Sequence, residues 1–169
     1  MRLIIFFLLF SSVVGAQGIK VEYDKKHDFS KYKTFSFGES QVITPDDQKQ
    51  VSDAVIDKWI KNAVTRELEF KGLKRVDANA DLIATYAVGT ASRMDMQPIG
   101  PLGQTPGSNA TTWTRNYQQT SLIIDLNRGS DLIWRINSVA SMGTNEAEGA
   151  IDAIVERGFK KFGKALKKK

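Results

Sequence analysis

The centre of the predicted sheet is a hairpin pattern that reads Ser121-Leu122-Ile123-Ile124-Asp125-Leu126 and then Leu132-Ile133-Trp134-Arg135-Ile136. In the first arm, large apolar residues recur at every second position, which is the period of a strand with one buried face. The residues between the arms, from Asn127 to Asp131, include the Asn, Gly, Ser and Asp that favour a turn. The two arms are therefore expected to pair as an antiparallel hairpin.

The same alternation predicts further strands at 20–24, 33–38 and 81–88, and the strand that contains the first hairpin arm is expected to span 113–126. A first helix is expected to begin at Thr44-Pro45-Asp46-Asp47, where a capping hydroxyl, a proline and two acids suit a helix start, and to end at Gly72. Its apolar stripe is Ile56, Ile60, Val64 and Leu68. A second amphipathic helix is expected from Glu146 to Lys169. The sequence thus predicts an α+β two-layer sandwich, with a mainly antiparallel sheet of about five strands and both helices on one face.

Residues 1–16 have the pattern of a secretory signal peptide. An apolar run from Leu3 to Phe10 follows Arg2, and Val14 and Ala16 fit a small-x-small cleavage rule. The run is shorter than the roughly 20 residues that a spanning helix needs. We predict that 1–16 are removed and that 17–169 form a single exported domain, periplasmic or secreted, with retention as an uncleaved anchor as the alternative.

Composition narrows the chemistry that is possible. The chain has 169 residues, 24 basic and 19 acidic side chains, one His and no Cys. Without thiols it has no disulfide, no Cys nucleophile and no thiolate metal site, and one His cannot make a two-His metal site. We expect no cofactor and no catalytic residue. A hydrolase that uses buried carboxylates is the weaker alternative, since such acids meet only in space.

The segment 92–112 is predicted to be a long loop. It holds three of the four prolines, Pro98, Pro101 and Pro106, together with three glycines. Loops of this length inside a compact domain are mobile or serve as binding elements. The prediction here is a mobile loop, with a binding element as the alternative.

A partner surface is expected on the sheet face that the helices leave uncovered. By alternation that face carries more large apolar residues than solvent normally tolerates, and two aromatic residues stand at the edge of the predicted loop. The predicted partner or dimer surface consists of Ile83, Trp113, Tyr117, Ile123, Ile133 and Val139.

Two groups of residues contain side chains that can bind metal ions, but each group has too few of them to form a site. His27 lies between Asp24 and Asp28 and is interpreted as an exposed turn histidine. Met94 and Met96 offer the thioethers that Cu(I) prefers, but two are too few to close a site. No metal is therefore predicted.

The C-terminal lysines are a candidate contact with anionic lipid. Cations near such a membrane contribute roughly 1 kcal/mol each. The favoured interpretation is a solvated helix end whose charge complements the helix dipole, and nucleic acid is not expected as a partner of an exported protein. The lysines concerned are Lys164, Lys167, Lys168 and Lys169.

Several motifs together resemble one family. They are Val21-Glu22-Tyr23-Asp24, Asp28-Phe29-Ser30-Lys31-Tyr32-Lys33-Thr34-Phe35-Ser36-Phe37, Ala80-Asp81-Leu82-Ile83-Ala84-Thr85-Tyr86, and the hairpin with its Trp134-Arg135 pair. In this order they resemble the bacterial envelope family called domain of unknown function 4136. The resemblance implies a secreted, periplasmic or membrane-associated protein, many members being lipoproteins. It implies no activity and no catalytic residue that can be transferred to this chain.

The sequence therefore favours an exported bacterial envelope protein that acts as a non-enzymatic binding or accessory module. Its expected partner is an envelope protein or a second copy of itself. The alternative is a carrier of a small apolar ligand or lipid, with its pocket between the helices and the sheet.

Overall fold

The computed structural model describes residues 18–49, 51–98, 112–141 and 146–163. Within them two helices lie against a seven-stranded sheet. The helices are α1 (Asp53–Phe70) and α2 (Ala147–Phe159). The strands are β1 (Gly18–Tyr23), β2 (Thr34–Phe37), β3 (Gln41–Val42), β4 (Lys74–Arg75), β5 (Leu82–Pro98), β6 (Thr112–Arg128) and β7 (Asp131–Ser141). The predicted α+β sandwich is confirmed, but the sheet has seven strands rather than about five. The two-residue strands β3 and β4 are too short to show an alternation pattern. The predicted signal peptide at 1–16 lies outside the described residues.

The sheet is mixed, which differs from the mainly antiparallel prediction. Its order is β1-β7-β6-β5-β2-β4, and β3 also pairs with β5. The pairs β1–β7, β7–β6 and β6–β5 are antiparallel, whereas β2 and β3 run parallel to β5. The parallel pairs arise because α1 lies between β3 and β5 in the chain, and a helical crossover returns the chain in its original direction.

Gly38 allows the β2–β3 segment to pass close over β5. Its N–H donates to the carbonyl of Ala84 at 2.9 Å. A Cβ atom at this position would lie 2.7 Å from Ile83 Cγ2 and 2.9 Å from Thr85 Cγ2. Only glycine fits this approach, so β2 and β3 follow β5 one after the other along the same edge.

The core lies between the helices and one sheet face. The stripe of α1 is confirmed at Ile60, Val64 and Leu68, which are buried, while Ile56 packs at the margin. The helix α2 comes so close to β7 that Gly158 directly faces Ile136. The largest buried side chains of the two layers include Phe35, Leu82, Leu122, Ile124, Leu126, Trp134, Ile154 and Phe159. This interface is filled by packed side chains.

The predicted helix boundaries were wrong at the start of α1. That helix begins at Asp53, after Ser52, and Asp46–Gln48 form a separate 3-10 turn. Thr44 does not cap α1. It is buried, and its Oγ1 accepts a hydrogen bond from the N–H of Thr90 at 3.1 Å. The residue thus holds the chain against β5 before the helix begins. In α2 the helix ends at Phe159, and residues 164–169 lie outside the described residues.

The prediction of a loop over the whole of 92–112 was wrong. The strand β5 continues to Pro98 and β6 begins at Thr112, with unbroken register from Ile83 opposite Asn127 to Pro98 opposite Thr112. The strands beside them stop earlier. Pairing of β3 with β5 ends at Val88 of β5, and pairing of β7 with β6 ends at Gln119 of β6. Residues 91–98 and 112–118 therefore form a two-stranded extension of about 26 Å, which we call the projecting ribbon. Residues 99–111 lie outside the described part of the chain.

Candidate partner-binding surface

The sheet face that points away from both helices, here called the open face, exposes apolar side chains. Ile83 is 37% exposed and Val139 is 41% exposed, while Ile123 is half-buried. Ile123 stands opposite Ala87 on β5, and Val139 stands opposite Ser121 on β6. The structure therefore brings these three predicted residues onto the same uncovered surface.

Ile133 does not belong to this surface, which corrects the prediction from alternation. It is 6% exposed and is part of the core. The register of β6 and β7 shifts at this point, since Leu126 pairs with Trp134 whereas Asn127 pairs with Leu132. Ile133 is thus the extra residue of a bulge, and a bulge breaks the two-residue alternation that placed it outside.

Trp113 and Tyr117 lie in the projecting ribbon rather than at the edge of a loop. On β6 they are in register with Gln97 and Arg93 of β5. Both are an even number of residues from Ile123, on the same continuous strand. These two positions therefore lie on the same face of β6 as Ile123, so the open face continues from the domain into the ribbon.

Two adjoining depressions form a groove on the open face. One has a volume of about 300 Å³ and is lined in part by Ile43, Gly89 and Ile123. The other has a volume of about 210 Å³. They share Ala87 and Ile123. The floor is low because β5 presents small residues here, and Ile43, 61% exposed, rises beside it. We call this feature the open-face groove.

Sequence reasoning missed Ile43. It stands directly before Thr44-Pro45, a pair whose residue types favour a helix start. In the structure the N–H of Ile43 donates to the carbonyl of Val88 at 2.7 Å, so the residue extends the β3 pairing. An apolar residue next to a strand-like pair, Gln41-Val42, was the signal that could have indicated it.

A row of paired charges borders the groove on the β7 side. The guanidinium of Arg135 donates to both carboxylate oxygens of Asp125, at 2.8 Å and 2.6 Å. On β1, Glu22 stands opposite Arg135 and lies 2.5 Å from Lys20. The hydrogen bond from Lys20 lowers the pKa of Glu22. Since each charge has an opposite neighbour, this border offers little net field for an ionic ligand.

On the helix side of the sheet, Tyr86 and Asp57 form a tie between β5 and α1. The hydroxyl of Tyr86 donates to Asp57, and Lys61 lies 2.8 Å from the same carboxylate oxygen. Burial raises the pKa of Tyr86. Burial alone would raise the pKa of Asp57, but the hydrogen bonds from Lys61 and Tyr86 lower it overall. The contact fixes α1 on the sheet.

His27 is half-buried rather than an exposed turn residue. Its Nε2 lies 2.7 Å from the hydroxyl of Tyr32, and the two rings stack. It also makes an edge contact with Phe29, which joins the aromatic core. Burial, with help from Lys31 and Arg128, lowers the pKa of His27. The imidazole therefore packs as a neutral ring.

The remaining predicted contacts lie partly beyond the described residues. In residues 18–49, 51–98, 112–141 and 146–163, no group of three or more His, Cys, Asp or Glu side chains could hold a metal ion. Met94 and Met96 lie in β5, in register with Asn116 and Thr114. The predicted lipid-contacting lysines Lys164, Lys167, Lys168 and Lys169 are outside the described chain. No helix among the described residues has the length and apolarity to cross a membrane.

Comparison with known proteins places the chain in a family. The family model described as Domain of unknown function (DUF4136) matches residues 19–162, which confirms the resemblance seen in the motifs. No curated protein matches the chain significantly.

Solved structures are similar to the chain at low identity, and one of them has a TM-score above 0.5. The PelC dodecamer from Paraburkholderia phytofirmans has a TM-score of 0.53 and 8% identity, covering 84% of this chain and 96% of that one. A DUF4136 family protein from Bacteroides thetaiotaomicron has a TM-score of 0.48 and 18% identity, covering 86% of this chain and 95% of that one. A putative neuraminyllactose-binding hemagglutinin homologue from Helicobacter pylori has a TM-score of 0.41 and 14% identity, covering 87% and 90%.

Proposed function

We propose that this chain, which belongs to the DUF4136 family, is a non-enzymatic binding module of the bacterial envelope that receives a protein partner on its open face. The observation that carries the proposal is the open-face groove, whose larger depression is mainly apolar and lies on a sheet face that no described element covers. A helix layer protects one face of the sheet, whereas Ile43, Ile83 and Val139 stay exposed on the other. Large apolar side chains exposed on a sheet face that has no covering layer are typical of an interaction site.

The chemistry of the groove favours a protein over an ionic ligand. The larger depression has no charged residue among its described lining residues. The smaller one is lined in part by Glu39 and Asp125, and Asp125 is paired with Arg135. The walls of the groove offer aliphatic side chains from Ile43 and Ile123, and its floor is the backbone of β5 at Ala87 and Gly89. A partner that inserts one or two apolar side chains would gain roughly 1.5–3 kcal/mol for each one buried. Recognition would therefore depend on shape and apolar contact.

The envelope location in this proposal rests on the N-terminal sequence. Residues 1–16 have the order of a cleaved export signal. No cysteine follows the apolar run, so lipid attachment through a cysteine is not part of the proposal. The partner is accordingly expected among proteins exposed to the same compartment.

The carrier alternative meets a packing obstacle in the described residues. Phe35, Leu82 and Trp134 fill the helix–sheet interface where its pocket was expected. Opening a cavity there would sacrifice close-packed contacts that each core side chain makes. A lipid or other apolar molecule would more readily use the open-face groove, where the same experiment detects it.

The proposal is tested with a photo-crosslinking amino acid at position 43, on the rim of the groove. Position 70 serves as the matched control, because Phe70 is an exposed apolar residue at the end of α1, away from the open face. Crosslinking is carried out in living cells of the source bacterium, and adducts are identified by mass spectrometry. We expect a discrete protein adduct from position 43 that is absent from position 70.

The second arm adds Ile123→Lys to the chain that carries the crosslinker at position 43. The lysine charges the shared wall of both depressions, so the adduct should disappear while the melting temperature changes little. Adducts that are the same at both positions, or that survive Ile123→Lys, would refute the proposal. A lipid that co-purifies in native mass spectrometry and is lost in Ile123→Lys would replace the protein partner by the carrier function.

A further inference from the structure

Along the outer edge of β5, pairing with the described part of the chain ends at Thr90. Along the paired part, the carbonyls of Ala84 and Val88 accept from Gly38 and Ile43, at 2.9 Å and 2.7 Å. The N–H of Thr90 donates to Thr44 Oγ1 at 3.1 Å. Even-numbered residues of β5 thus direct their backbone groups toward this edge. Beyond Thr90 no described strand lies beside it.

The same phase continues into the projecting ribbon, because the register with β6 has no shift from Ile83 to Pro98. Backbone groups of consecutive strand residues point to opposite edges. Ser92, Met94 and Met96 therefore present their N–H and C=O groups to the open edge. The next position of this kind is Pro98, which has no N–H to donate.

The stretch of β5 without a described neighbouring strand has a limit at each end, and the two limits are equally far from its central residue. On one side it is bounded by Thr90, whose N–H already has an acceptor. On the other side it is bounded by Pro98, at the end of the strand. The midpoint of the two is Met94. A strand that pairs with an identical strand in antiparallel orientation needs a centre of this kind.

We infer that a second copy of this chain pairs with this edge, with the two β5 strands antiparallel and a two-fold axis at Met94. The axis sets Met94 opposite Met94 of the second copy and Ser92 opposite its Met96. Each of the three facing pairs exchanges two backbone hydrogen bonds, about six in all. The two ribbons then form one continuous four-stranded layer.

Charge supports this register. The axis at Met94 sets Arg93 opposite Asp95 of the second copy, and the pair occurs twice by symmetry. Opposite charges facing across strands are stabilising, and like charges are destabilising. The other edge of the ribbon lacks this complementarity, because residues 112–118 contain Arg115 and no acid. The β5 edge is therefore the one that favours a second copy.

The stability of the projecting ribbon also favours pairing with a second copy. An isolated two-stranded hairpin is marginal in water, whereas three or more strands are stable. In the described chain the projecting ribbon has no third strand. A second copy supplies it to both ribbons at once. This inference is independent of the proposed function, because it uses the edge of β5 and not the open-face groove.

The test is a charge exchange, read by sedimentation velocity on the purified full chain over a concentration series. Arg93→Asp gives a chain with two acids, and Asp95→Arg gives a chain with two arginines. Each variant alone faces like charges twice, so its dimer dissociation constant should rise at least about tenfold. Mixed in equal amounts, the two variants face only opposite charges, and the heterodimer should regain the wild-type constant.

The matched control is Arg115→Asp. Arg115 stands opposite Asp95 within the same hairpin, so this change disturbs the ribbon to a similar degree but leaves the facing pairs between copies intact. Its dissociation constant should stay near that of the wild type. Circular dichroism melts report whether each variant is folded. A monomeric wild type up to its solubility limit, folded variants that still dimerise as tightly as the wild type, or a mixture that fails to associate would each overturn the inference.

A second measurement uses the absence of native cysteine. Facing residues in a hydrogen-bonded antiparallel pair have Cα atoms about 5.5 Å apart, within the range that a disulfide spans. Met94→Cys should therefore give a disulfide dimer on air oxidation. Met96→Cys stands about 13 Å from its symmetry copy and should give much less. Equal yields, or a higher yield at position 96, would overturn the register. Because both readouts concern association of the chain with itself, their failure leaves the test of the open-face groove unaffected.

Discussion

The contact between Gly158 and Ile136 predicts the effect of a single added methyl group. Gly158 is buried on α2, against β7. A Cβ at this position would lie 2.8 Å from both Ile136 Cγ1 and Ile136 Cγ2, and it would approach Cδ1 as well. Three contacts of this kind on one side chain cannot all be relieved by turning its tip. Gly158→Ala therefore has to displace the helix or force Ile136 from its rotamer.

The expected magnitude is the balance of two opposing effects. Overpacking a core costs about 1–3 kcal/mol, while replacing glycine by alanine in a helix gains about 1 kcal/mol. Subtracting the gain from the cost, we expect Gly158→Ala to lower the free energy of unfolding by up to about 2 kcal/mol. Gly149→Ala is the control in the same helix, because a Cβ atom at that position would have no neighbour within 4 Å. It should be neutral or gain up to about 1 kcal/mol.

The assay is urea unfolding followed by tryptophan fluorescence, since Trp134 is fully buried. A double-mutant cycle with Ile136→Ala isolates the contact. Ile136→Ala alone should cost about 2–5 kcal/mol, and the double variant should cost at least about 1 kcal/mol less than the sum. If Gly158→Ala is as stable as Gly149→Ala, or if the two changes are additive, the close approach of α2 to β7 is not as described.

Three further predictions concern side chains that hold the layers together. Asp81 accepts hydrogen bonds from the backbone of Lys33 at 2.8 Å and from the following residue, and these lower its pKa. Asp81→Ala should cost about 1 kcal/mol at neutral pH, and the difference should shrink in urea titrations as the pH falls below about 4, where the carboxylate is protonated. The lowered pKa of His27 means that the unfolded chain binds its proton more readily, so stability should decline as the pH falls below about 6.5. His27→Gln should flatten that decline, and an unchanged slope would contradict the neutral, half-buried ring. Tyr86→Phe removes the donor to Asp57 and should lower the free energy of unfolding by about 1 kcal/mol without changing the circular dichroism spectrum. Asp57→Ala should lower the free energy of unfolding by more than Tyr86→Phe does, because Lys61 then also loses its partner.

Local patterns predicted the elements whose packing follows their own period. Alternation at Leu122, Ile124 and Leu126 located a strand, and the stripe at Ile60, Val64 and Leu68 located α1. These predictions succeeded because each pattern repeats with the geometry of one strand or one helix. The family was also visible in the sequence, since its motifs are short and lie within single elements.

Predictions failed where a distant segment changes a local preference. Pro98 and its neighbouring glycines indicated a loop, yet β5 continues to Pro98 because β6 pairs with it residue by residue. Ile133 followed the outward phase of its strand until the bulge opposite Leu126 turned it into the core. Thr44 has the side chain of a helix cap, but Thr90 from β5 uses it.

The sequence by itself determined the α+β class, the apolar stripes, the family and the charges available at Arg93 and Asp95. Only the tertiary structure decided which face of the sheet no described element covers and which backbone groups of β5 have no described strand beside them. The physical reason is that alternation assigns side chains to two faces of a sheet but does not say which face a helix covers. Which residues of an edge strand direct their N–H and C=O groups outward depends on how that strand pairs with its neighbour. The open-face groove and the edge of β5 centred on Met94 both adjoin the part of β5 where pairing with β3 ends.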